Sequence, residues 1–256
     1  MSEDQLYHHE SVNMIHQNRT CRSPDDDGTQ FKFHAFAPKE IAFALCYLDP
    51  HKSTGHDQTP SRILKIASKE LFHPLADLYN CIETCCWPLQ WKKCDWIPVV
   101  LKKDNKLDIK NYRPVTALTV VGKVLEQLLS RQVASFVDPM LSHNLTAYRK
   151  NHSCETSLIG LVERWKKAVD SKNIVGVLST DMPKAFDSLH PPLLINKLKA
   201  YCFSNNFLDL MRFSSRKNRV RISPQTTSDW YATMRGCPQG SVFGPLLWNV
   251  FQNDLH

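Results

Sequence analysis

The sequence is short of glycine and of long apolar runs. It has eight glycines in 256 residues, and three of them lie within residues 236–244. Its longest nearly apolar stretch, residues 242–251, is about half the ~20 residues that a membrane-spanning helix needs. We therefore predict no transmembrane segment. The clustered glycines indicate either a close approach of the backbone to a ligand or a plain turn.

Cysteine is present, but its arrangement does not favour a structural disulfide or zinc site. Nine cysteines cannot all pair within one chain. No second His or Cys pair at zinc-finger spacing accompanies Cys81 and Cys85. The N-terminal residues also lack the charged-then-apolar layout of a signal peptide. We therefore expect buried thiols and an intracellular location, in the nucleus or the cytoplasm.

Acidic residues are outnumbered by basic ones. The 32 Lys and Arg against 25 Asp and Glu give a formal charge of +7, which favours a polyanionic partner but is shared by many ordinary basic proteins. One basic cluster lies in residues 102–113, where a solvated loop and a phosphate-binding loop are equally compatible with the spacing. A second lies around residues 212–221, and from it we take Arg216 and Lys217 as candidate nucleic-acid contacts.

The apolar periodicity predicts interleaved helices and strands. The polar residues 1–35 predict a tail or linker. Helices are predicted over residues 63–82, with a kink or break at Pro74, and over 124–137, 158–169, 193–201 and 245–251. Strands are predicted over residues 95–101, 174–178 and 219–222, with 228–234 returning beside the last. There is no internal repeat and no regular βαβ alternation, so we expect an α+β fold.

Two aspartates near residues 174–178 are candidates for chemistry. That run is apolar on both faces and predicts a central strand covered on both sides. Asp181 follows it, and a carboxylate at the end of a buried strand suits a divalent metal ion with oxygen ligands. A turn aspartate bonded to backbone N–H groups explains the position equally well. For Asp187 we favour a structural role as a cap of the helix that begins near Pro191.

Residues 52–255 resemble the reverse transcriptase domain of retrotransposons without long terminal repeats, the LINE-type and jockey-like elements. Five blocks stand in the order of that family: residues 53–57 with 88–92, then 102–126, 148–153, 181–187 and 236–247. The resemblance implies a right-hand polymerase fold of the α+β class. Under it, residues 36–95 form a helical N-terminal extension, 96–170 the fingers and 171–256 part of the palm, with 1–35 as the tail or linker.

The resemblance also implies roles for individual residues. Asp181 matches the first catalytic aspartate, which binds two Mg²⁺ (or Mn²⁺) ions with help from the Met182 carbonyl. Phe186 matches the aromatic residue that excludes a ribose 2′-hydroxyl. Gln239 and Gly240 match the motif that touches the incoming nucleotide and the template base.

Three basic residues acquire roles in the same way. Lys103 and Arg113 match the triphosphate contacts of the fingers, and Arg149 matches a nucleic-acid contact. The partners implied are an RNA template, a DNA primer and deoxynucleoside triphosphates, without a membrane. Nothing in the sequence indicates an oligomeric state.

Several positions depart from the family. Ala147 and Asn151 stand where the family has glycine, so we expect a backbone geometry that only glycine tolerates to be lost. Pro183 replaces a serine and lacks an N–H. The thumb and the Tyr/Phe-Ala-Asp-Asp hairpin that should follow residue 255 are missing. We therefore expect weak Mg²⁺ binding and an inactive fragment. The alternative is a non-catalytic nucleic-acid-binding module or a decayed element remnant.

Overall fold

The described part of the chain contains helices and one mixed β-sheet. The computed structural model describes residues 30–82, 87–100, 107–108, 111–182, 185–211 and 216–255. The helices there are α1 (Pro38–Cys46), α2 (Ser61–Ile66), α3 (Ser68–Ile82), α4 (Val120–Val137), α5 (Cys154–Asp170), α6 (Ala185–Ser188), α7 (Pro191–Ala200), α8 (Asn205–Leu210) and α9 (Gly244–Gln252). The strands are β1 (Lys93–Val100), β2 (Tyr112–Ala117), β3 (Lys217–Val220) and β4 (Tyr231–Ala232). This content confirms the α+β class. Within the described ranges, no helix combines the length and the apolarity needed to cross a membrane.

The sheet joins two hairpins that are far apart in the sequence. Its strand order is β2-β1-β3-β4. Strands β1 and β2 are antiparallel, with Trp96 opposite Thr116, and β1 runs parallel to β3, with Cys94 opposite Asn218. The predicted return of residues 228–234 is confirmed, because β4 pairs antiparallel with β3. Because β2 and β4 are the two edge strands of this sheet, a contact between β2 and the chain that follows β4 has to form outside the strand ladder.

Helix α4 carries the longest buried stripe of the molecule. Val124, Leu125, Leu128 and Leu129 are each at most 3% exposed, as their helical spacing predicts. Thr119 caps the helix by accepting a hydrogen bond from the Gly122 N–H at 3.3 Å. Helices α1 and α9 pack against α4, and α9 also packs against α7. The start of α9, which follows the glycine-rich residues, is thus fixed to the core.

The helical pattern of residues 63–82 is confirmed, but the predicted break is misplaced. The pattern divides at Ala67, which ends α2, and α3 continues through Pro74 without a break. Proline costs one backbone hydrogen bond in a helix. Burial of the α3 residues Leu75, Ala76 and Tyr79 in the core explains why the helix continues despite that loss.

Part of the predicted N-terminal tail is packed on the core. Phe31 is 4% exposed, and its ring lies 4.8 Å from that of Phe203 and 4.9 Å from that of Phe207. Phe33 and Phe36 are buried beside it. Phe31 and Phe33 lie within the predicted tail of residues 1–35, and the prediction underestimated these two side chains, whose burial offsets the entropy of ordering the segment. Residues 1–29 of the predicted tail lie outside the described part of the chain.

The prediction of a central strand at residues 174–178 is wrong. This segment has no regular secondary structure and pairs with no strand of the described sheet, and Ile174, Val177 and Leu178 are 99%, 65% and 90% exposed. The apolar composition of residues 174–178 predicts burial on both faces. Burial requires a neighbouring strand and a covering layer, which the described residues do not provide.

Candidate functional site

The glycine-rich segment crosses directly over the short helix α6. Gly236 has φ +82°, and a Cβ atom there would lie 2.9 Å from the Asp187 Cα and 3.0 Å from the Phe186 carbonyl oxygen. The Gly236 N–H donates to the Leu189 carbonyl at 2.8 Å, and the Cys237 N–H donates to that of Phe186 at 2.9 Å. Only glycine combines this conformation with so close an approach. The close approach that Gly236 allows is therefore an approach to the backbone of α6.

Gln239 is held at both its backbone and its side chain. Its carbonyl accepts from the Thr116 N–H at the end of β2 at 2.8 Å. Its side-chain Nε2 donates to the Asp187 Oδ1 at 2.9 Å. Gly240 follows with φ +106°, and a Cβ there would lie 3.2 Å from the Thr116 carbonyl oxygen. Residues 236–240 therefore connect β2 with α6.

A cleft of about 160 Å³ opens beside Gln239. Trp96, Pro114 and Thr116 form its sheet side, and Asp187 and Gln239 lie on the other. Arg235 contributes an exposed cation to the rim. The lining is largely apolar with a few charged side chains, among them Arg216, and it includes residues of three of the sequence blocks that carry the family resemblance.

The sequence predicts Asp187 as a cap of the helix that begins near Pro191, and this prediction is wrong. Asp187 lies within α6, while the residue before α7 is His190, which makes no side-chain cap. The Asp187 carboxylate instead accepts from Gln239. Sequence reasoning missed this pairing because 52 residues separate the partners.

Asp181 and Met182 lie in a segment without regular secondary structure that precedes α6 in the sequence. The side chains of both residues are exposed, and the Asp181 carboxylate makes no hydrogen bond or ion pair with another described residue. Over the same residues, no three His, Cys, Asp or Glu side chains are grouped so that they would hold a metal ion. Proteins often bind Mg²⁺ through only one or two carboxylates. Water molecules and substrate phosphates then complete its coordination shell. Asp181 fits such an ion as a single ligand.

Phe186 is half-buried between two aromatic residues. Its ring lies 6.1 Å from that of Tyr148 in an edge-on arrangement and 5.9 Å from that of Trp248. Asn151, three residues after Tyr148, has φ +64°, the left-handed conformation that asparagine tolerates better than most residues. The expected loss of a glycine-only geometry is therefore wrong at Asn151.

Of the two cations predicted to bind the triphosphate, the structure describes Arg113 but not Lys103. Lys103 and the cluster at residues 102–106 lie outside the described residues. Arg113 is exposed on β2 opposite Val99. Because side chains alternate along a strand, Arg113 lies on the face opposite Pro114 and Thr116, which line the cleft. The structure therefore does not bring Arg113 and the cleft lining to one face of the sheet.

Arg149 has a structural role. Its Nε donates to the Asp138 Oδ1 at 2.8 Å, and its Nη2 donates to the Asp138 carbonyl at 3.1 Å. Its Nη1 donates to the carbonyls of Ser142 at 2.9 Å and Leu145 at 3.0 Å. Four of the five N–H groups of the guanidinium thus hold the turn after α4. This geometry does not support the predicted nucleic-acid contact.

Arg216 is partly buried beside a carboxylate, although it also forms part of the lining of the cleft at Gln239. It lines a small internal cavity together with Glu126, Cys237 and Ser241. Burial lowers the pKa of Arg216, and the charge of Glu126 opposes that change. Burial likewise raises the pKa of Glu126, against the charge of Arg216. The predicted nucleic-acid contact of Arg216 is unsupported, whereas Lys217 is exposed at the start of β3.

Glu126 anchors the end of the glycine-rich segment. Its Oε2 accepts from the Ser241 hydroxyl at 2.8 Å and from the Val242 N–H at 3.3 Å. Sequence reasoning did not single out this residue. A signal existed, because a glutamate in the apolar stripe of α4 calls for a buried partner.

Arg219 and Arg221 of the second basic cluster are paired with a carboxylate, while Arg212 lies outside the described residues. Arg219 Nε lies 2.7 Å and Arg221 Nη1 3.3 Å from the oxygens of Asp95, which is fully buried. The Arg219 guanidinium also lies 4.7 Å from the centre of the Trp230 ring. Much of the positive charge at residues 216–221 therefore stabilises the sheet.

The chain is similar over most of its length to proteins encoded by retrotransposons. A probable RNA-directed DNA polymerase from transposon BS of Drosophila melanogaster is 28% identical over 221 residues, which cover 85% of this chain and 24% of that protein. The RNA-directed DNA polymerase from mobile element jockey of the same fly is 24% identical over 226 residues, again 85% of this chain and 24% of that protein. A putative COX1/OXI3 intron 1 protein of Saccharomyces cerevisiae is 25% identical over 142 residues, 54% of this chain and 15% of that protein. The chain spans about a quarter of the length of the fly proteins.

A family model matches more than half of the sequence. It is described as reverse transcriptase (RNA-dependent DNA polymerase), and it covers residues 100–256. That range contains β2, α6 and the glycine-rich segment, which meet in the structure at Gln239. The chain belongs to the reverse transcriptase (RNA-dependent DNA polymerase) family.

Proposed function

We propose that this chain forms the nucleotide-binding part of an RNA-directed DNA polymerase from a retrotransposon without long terminal repeats. The observation that supports it most is the meeting of three sequence blocks at residues 236–240. Thr116 of β2 binds the Gln239 carbonyl, and Phe186 and Asp187 of α6 bind Cys237 and the Gln239 side chain. A polymerase needs such a junction because the metal ligand and the nucleotide contacts come from distant parts of its sequence.

In this proposal the subdomains follow the sequence. The hairpin of β1 and β2 together with α4 belongs to the fingers, within residues 96–170, and residues 171–256 form part of the palm. Residues 36–95 are the N-terminal extension. The contact between β2 and residues 236–240 is then the boundary between fingers and palm.

Asp181 is the proposed ligand of a divalent metal ion, assisted by the Met182 carbonyl. When bound, Mg²⁺ or Mn²⁺ supplies a Lewis acid that neutralises charge on the transferred phosphate. The exposed carboxylate of Asp181, which no other described residue engages, is available for this role.

The other assigned residues bind and orient the nucleotide. Phe186, fixed between Tyr148 and Trp248, limits the space beside the sugar. Gln239 and Gly240 approach the base and sugar, while Lys103 binds the triphosphate. The triphosphate contact of Arg113 rests on the family resemblance alone, since Arg113 lies on the other face of β2. Lys217 is the remaining proposed contact to nucleic acid, since it is exposed on the sheet. The proposed partners are an RNA template, a DNA primer and deoxynucleoside triphosphates.

Primer extension on an RNA template tests the proposal. The measurement uses the full translated protein that contains these 256 residues. We expect Mg²⁺-dependent extension that Asp181→Asn abolishes, because the neutral amide cannot offset the charge of the metal. Asp170→Asn is the matched control, since Asp170 is an exposed aspartate at the end of α5 and outside the site.

The outcomes separate two kinds of protein. Extension that persists in Asp181→Asn would remove the catalytic assignment of Asp181. Salt-dependent RNA binding without any metal-dependent synthesis would instead indicate a non-catalytic nucleic-acid-binding module or a decayed remnant.

A further inference from the structure

Asp187 and Gln239 form a pair whose chemistry allows one orientation only. An ionised carboxylate can only accept hydrogen bonds, whereas a glutamine amide has a donor end and an acceptor end. The 2.9 Å contact to the Asp187 Oδ1 must therefore be made by the Nε2 of Gln239. The amide oxygen is then directed away from Asp187.

The backbone around this pair is fixed independently of the side chains. Gly236 and Cys237 donate to the carbonyls of Leu189 and Phe186, on either side of Asp187. The Gln239 carbonyl is bound by the Thr116 N–H. These contacts fix the two backbone segments, so only side-chain rotation can separate Asp187 from Gln239. The side-chain hydrogen bond therefore sets the rotation of the amide rather than the path of the chain.

From this geometry we infer that Asp187 is a positioning residue that fixes which end of the Gln239 amide faces the nucleotide. The inference rests on the proposed function, in which Gln239 contacts the incoming nucleotide. With Asp187 ionised, Gln239 presents its carbonyl oxygen and one remaining N–H in a fixed arrangement. Without the Asp187 carboxylate, the Gln239 amide can rotate by 180°. Its N–H donor and carbonyl acceptor then exchange positions. A ligand matched to one arrangement then loses hydrogen bonds in the other.

Asp187→Asn tests this role without removing the hydrogen bond. Asparagine can accept from the Gln239 Nε2 or donate to its Oε1, so both orientations of the glutamine become available. We expect the midpoint of thermal unfolding to stay at the wild-type value. The KM for deoxynucleoside triphosphates in primer extension should rise about tenfold, the equivalent of one charge-assisted hydrogen bond, with little change in kcat. Asp170→Asn, outside the site, should leave KM unchanged.

Asp187→Ala separates orientation from support of the fold. It removes the acceptor entirely, so it should lower both the unfolding midpoint and the affinity for nucleotide. A purely structural Asp187 would behave differently, because Asp187→Asn would then keep the wild-type KM and only Asp187→Ala would change it. That result, in a wild-type protein that incorporates nucleotides, would overturn the inference alone.

A second readout does not depend on catalysis. The side-chain NH₂ of Gln239 can be followed by NMR in wild type and in Asp187→Asn. We expect one well-resolved pair of resonances in wild type and exchange broadening in the variant. Identical spectra would contradict the orienting role. A protein that incorporates no nucleotide, yet shows the expected spectra, would overturn the proposed function and with it the nucleotide role of Asp187.

Discussion

Burial makes the ionisation of Glu126 costly to the fold. This residue is 6% exposed, and it holds Ser241 and the Val242 N–H at the end of the glycine-rich segment. Burial raises its pKa, and the charge of Arg216 opposes this only in part. Between pH 4.5, the ordinary carboxyl pKa, and its raised folded pKa, the Glu126 carboxyl is therefore protonated more often in the folded protein than in the unfolded chain.

This linkage predicts a pH dependence of stability. The contribution of Glu126 to the free energy of unfolding should fall as the pH rises from about 4.5 through its raised folded pKa. Glu126→Gln does not titrate, so it should lack that fall. Urea unfolding at several pH values measures the difference between the two proteins. A difference that stays constant with pH would show that Glu126 titrates normally in the fold.

The cysteines should differ sharply in reactivity. Burial raises the pKa of both Cys94 and Cys237 to about 12, so almost no thiolate is present near pH 8. Cys46, Cys81 and Cys154 are exposed. In the native protein we expect iodoacetamide to modify these three and to spare Cys94 and Cys237, as measured by peptide mass spectrometry. Equal labelling of Cys94 and Cys154 without denaturant would contradict the packing of β1 against β3.

Residue roles could be predicted from the sequence only where the partner is local or the motif is specific. Gly236 belongs to a recognisable block, and its need for glycine is visible in the structure. The ion pairs of Arg149 and Arg219 were not predicted, because a basic residue gives no sign of which carbonyl or carboxylate it will meet. Asp95, which pairs with Arg219, is 124 residues away in the chain.

At the scale of elements, the crossing of α6 by the glycine-rich segment should tolerate no side chain. Gly236→Ala would place a methyl group 2.9 Å from the Asp187 Cα in a left-handed backbone. We expect a loss of roughly 1–3 kcal/mol in the free energy of unfolding, measured with urea. Gly160→Ala is the control, because a Cβ there meets nothing within 4 Å inside α5. It should be neutral or slightly stabilising, and equal losses in the two variants would contradict the close crossing.

Helices α4 and α5 are similar in length but differ in how much of each is buried against the rest of the protein. Half of the α4 residues are buried, whereas no residue of α5 is. Leu158, Val162 and Val169 of α5 are between 47% and 61% exposed. Because helix stability in proteins comes mainly from tertiary packing, we expect the central amides of α5 to exchange with deuterium at least about tenfold faster than those of α4. Equal protection would show that α5 is covered in solution.

Helices were predicted better than strands for a physical reason. A helix is specified by residues three and four positions apart, as in α4 and α7. A strand needs a partner, and the parallel pairing of β1 with β3 joins residues more than 120 positions apart. Residues 174–178 carry the composition of a strand but find no partner among the described residues. Composition therefore predicted β1 correctly and failed at residues 174–178.

For the whole molecule, the net charge overstates the cationic surface at residues 216–221. Arg216, Arg219 and Arg221 lie beside Glu126 or Asp95 rather than facing solvent alone. The family was predictable from the sequence because its blocks occur in order, whatever their packing. The junction at Gln239 was not, since it depends on how β2, α6 and the glycine-rich segment pack together.

The central claim is that Asp181 and Gln239 serve one nucleotide. The most direct measurement is the Kd of a fluorescent deoxynucleoside triphosphate for this chain, determined with and without Mg²⁺ in wild type and Asp181→Asn. We predict that Mg²⁺ strengthens binding to wild type and that Asp181→Asn removes this effect while retaining the weaker metal-free binding. The same gain from Mg²⁺ in both proteins would contradict a metal site at Asp181 beside the nucleotide.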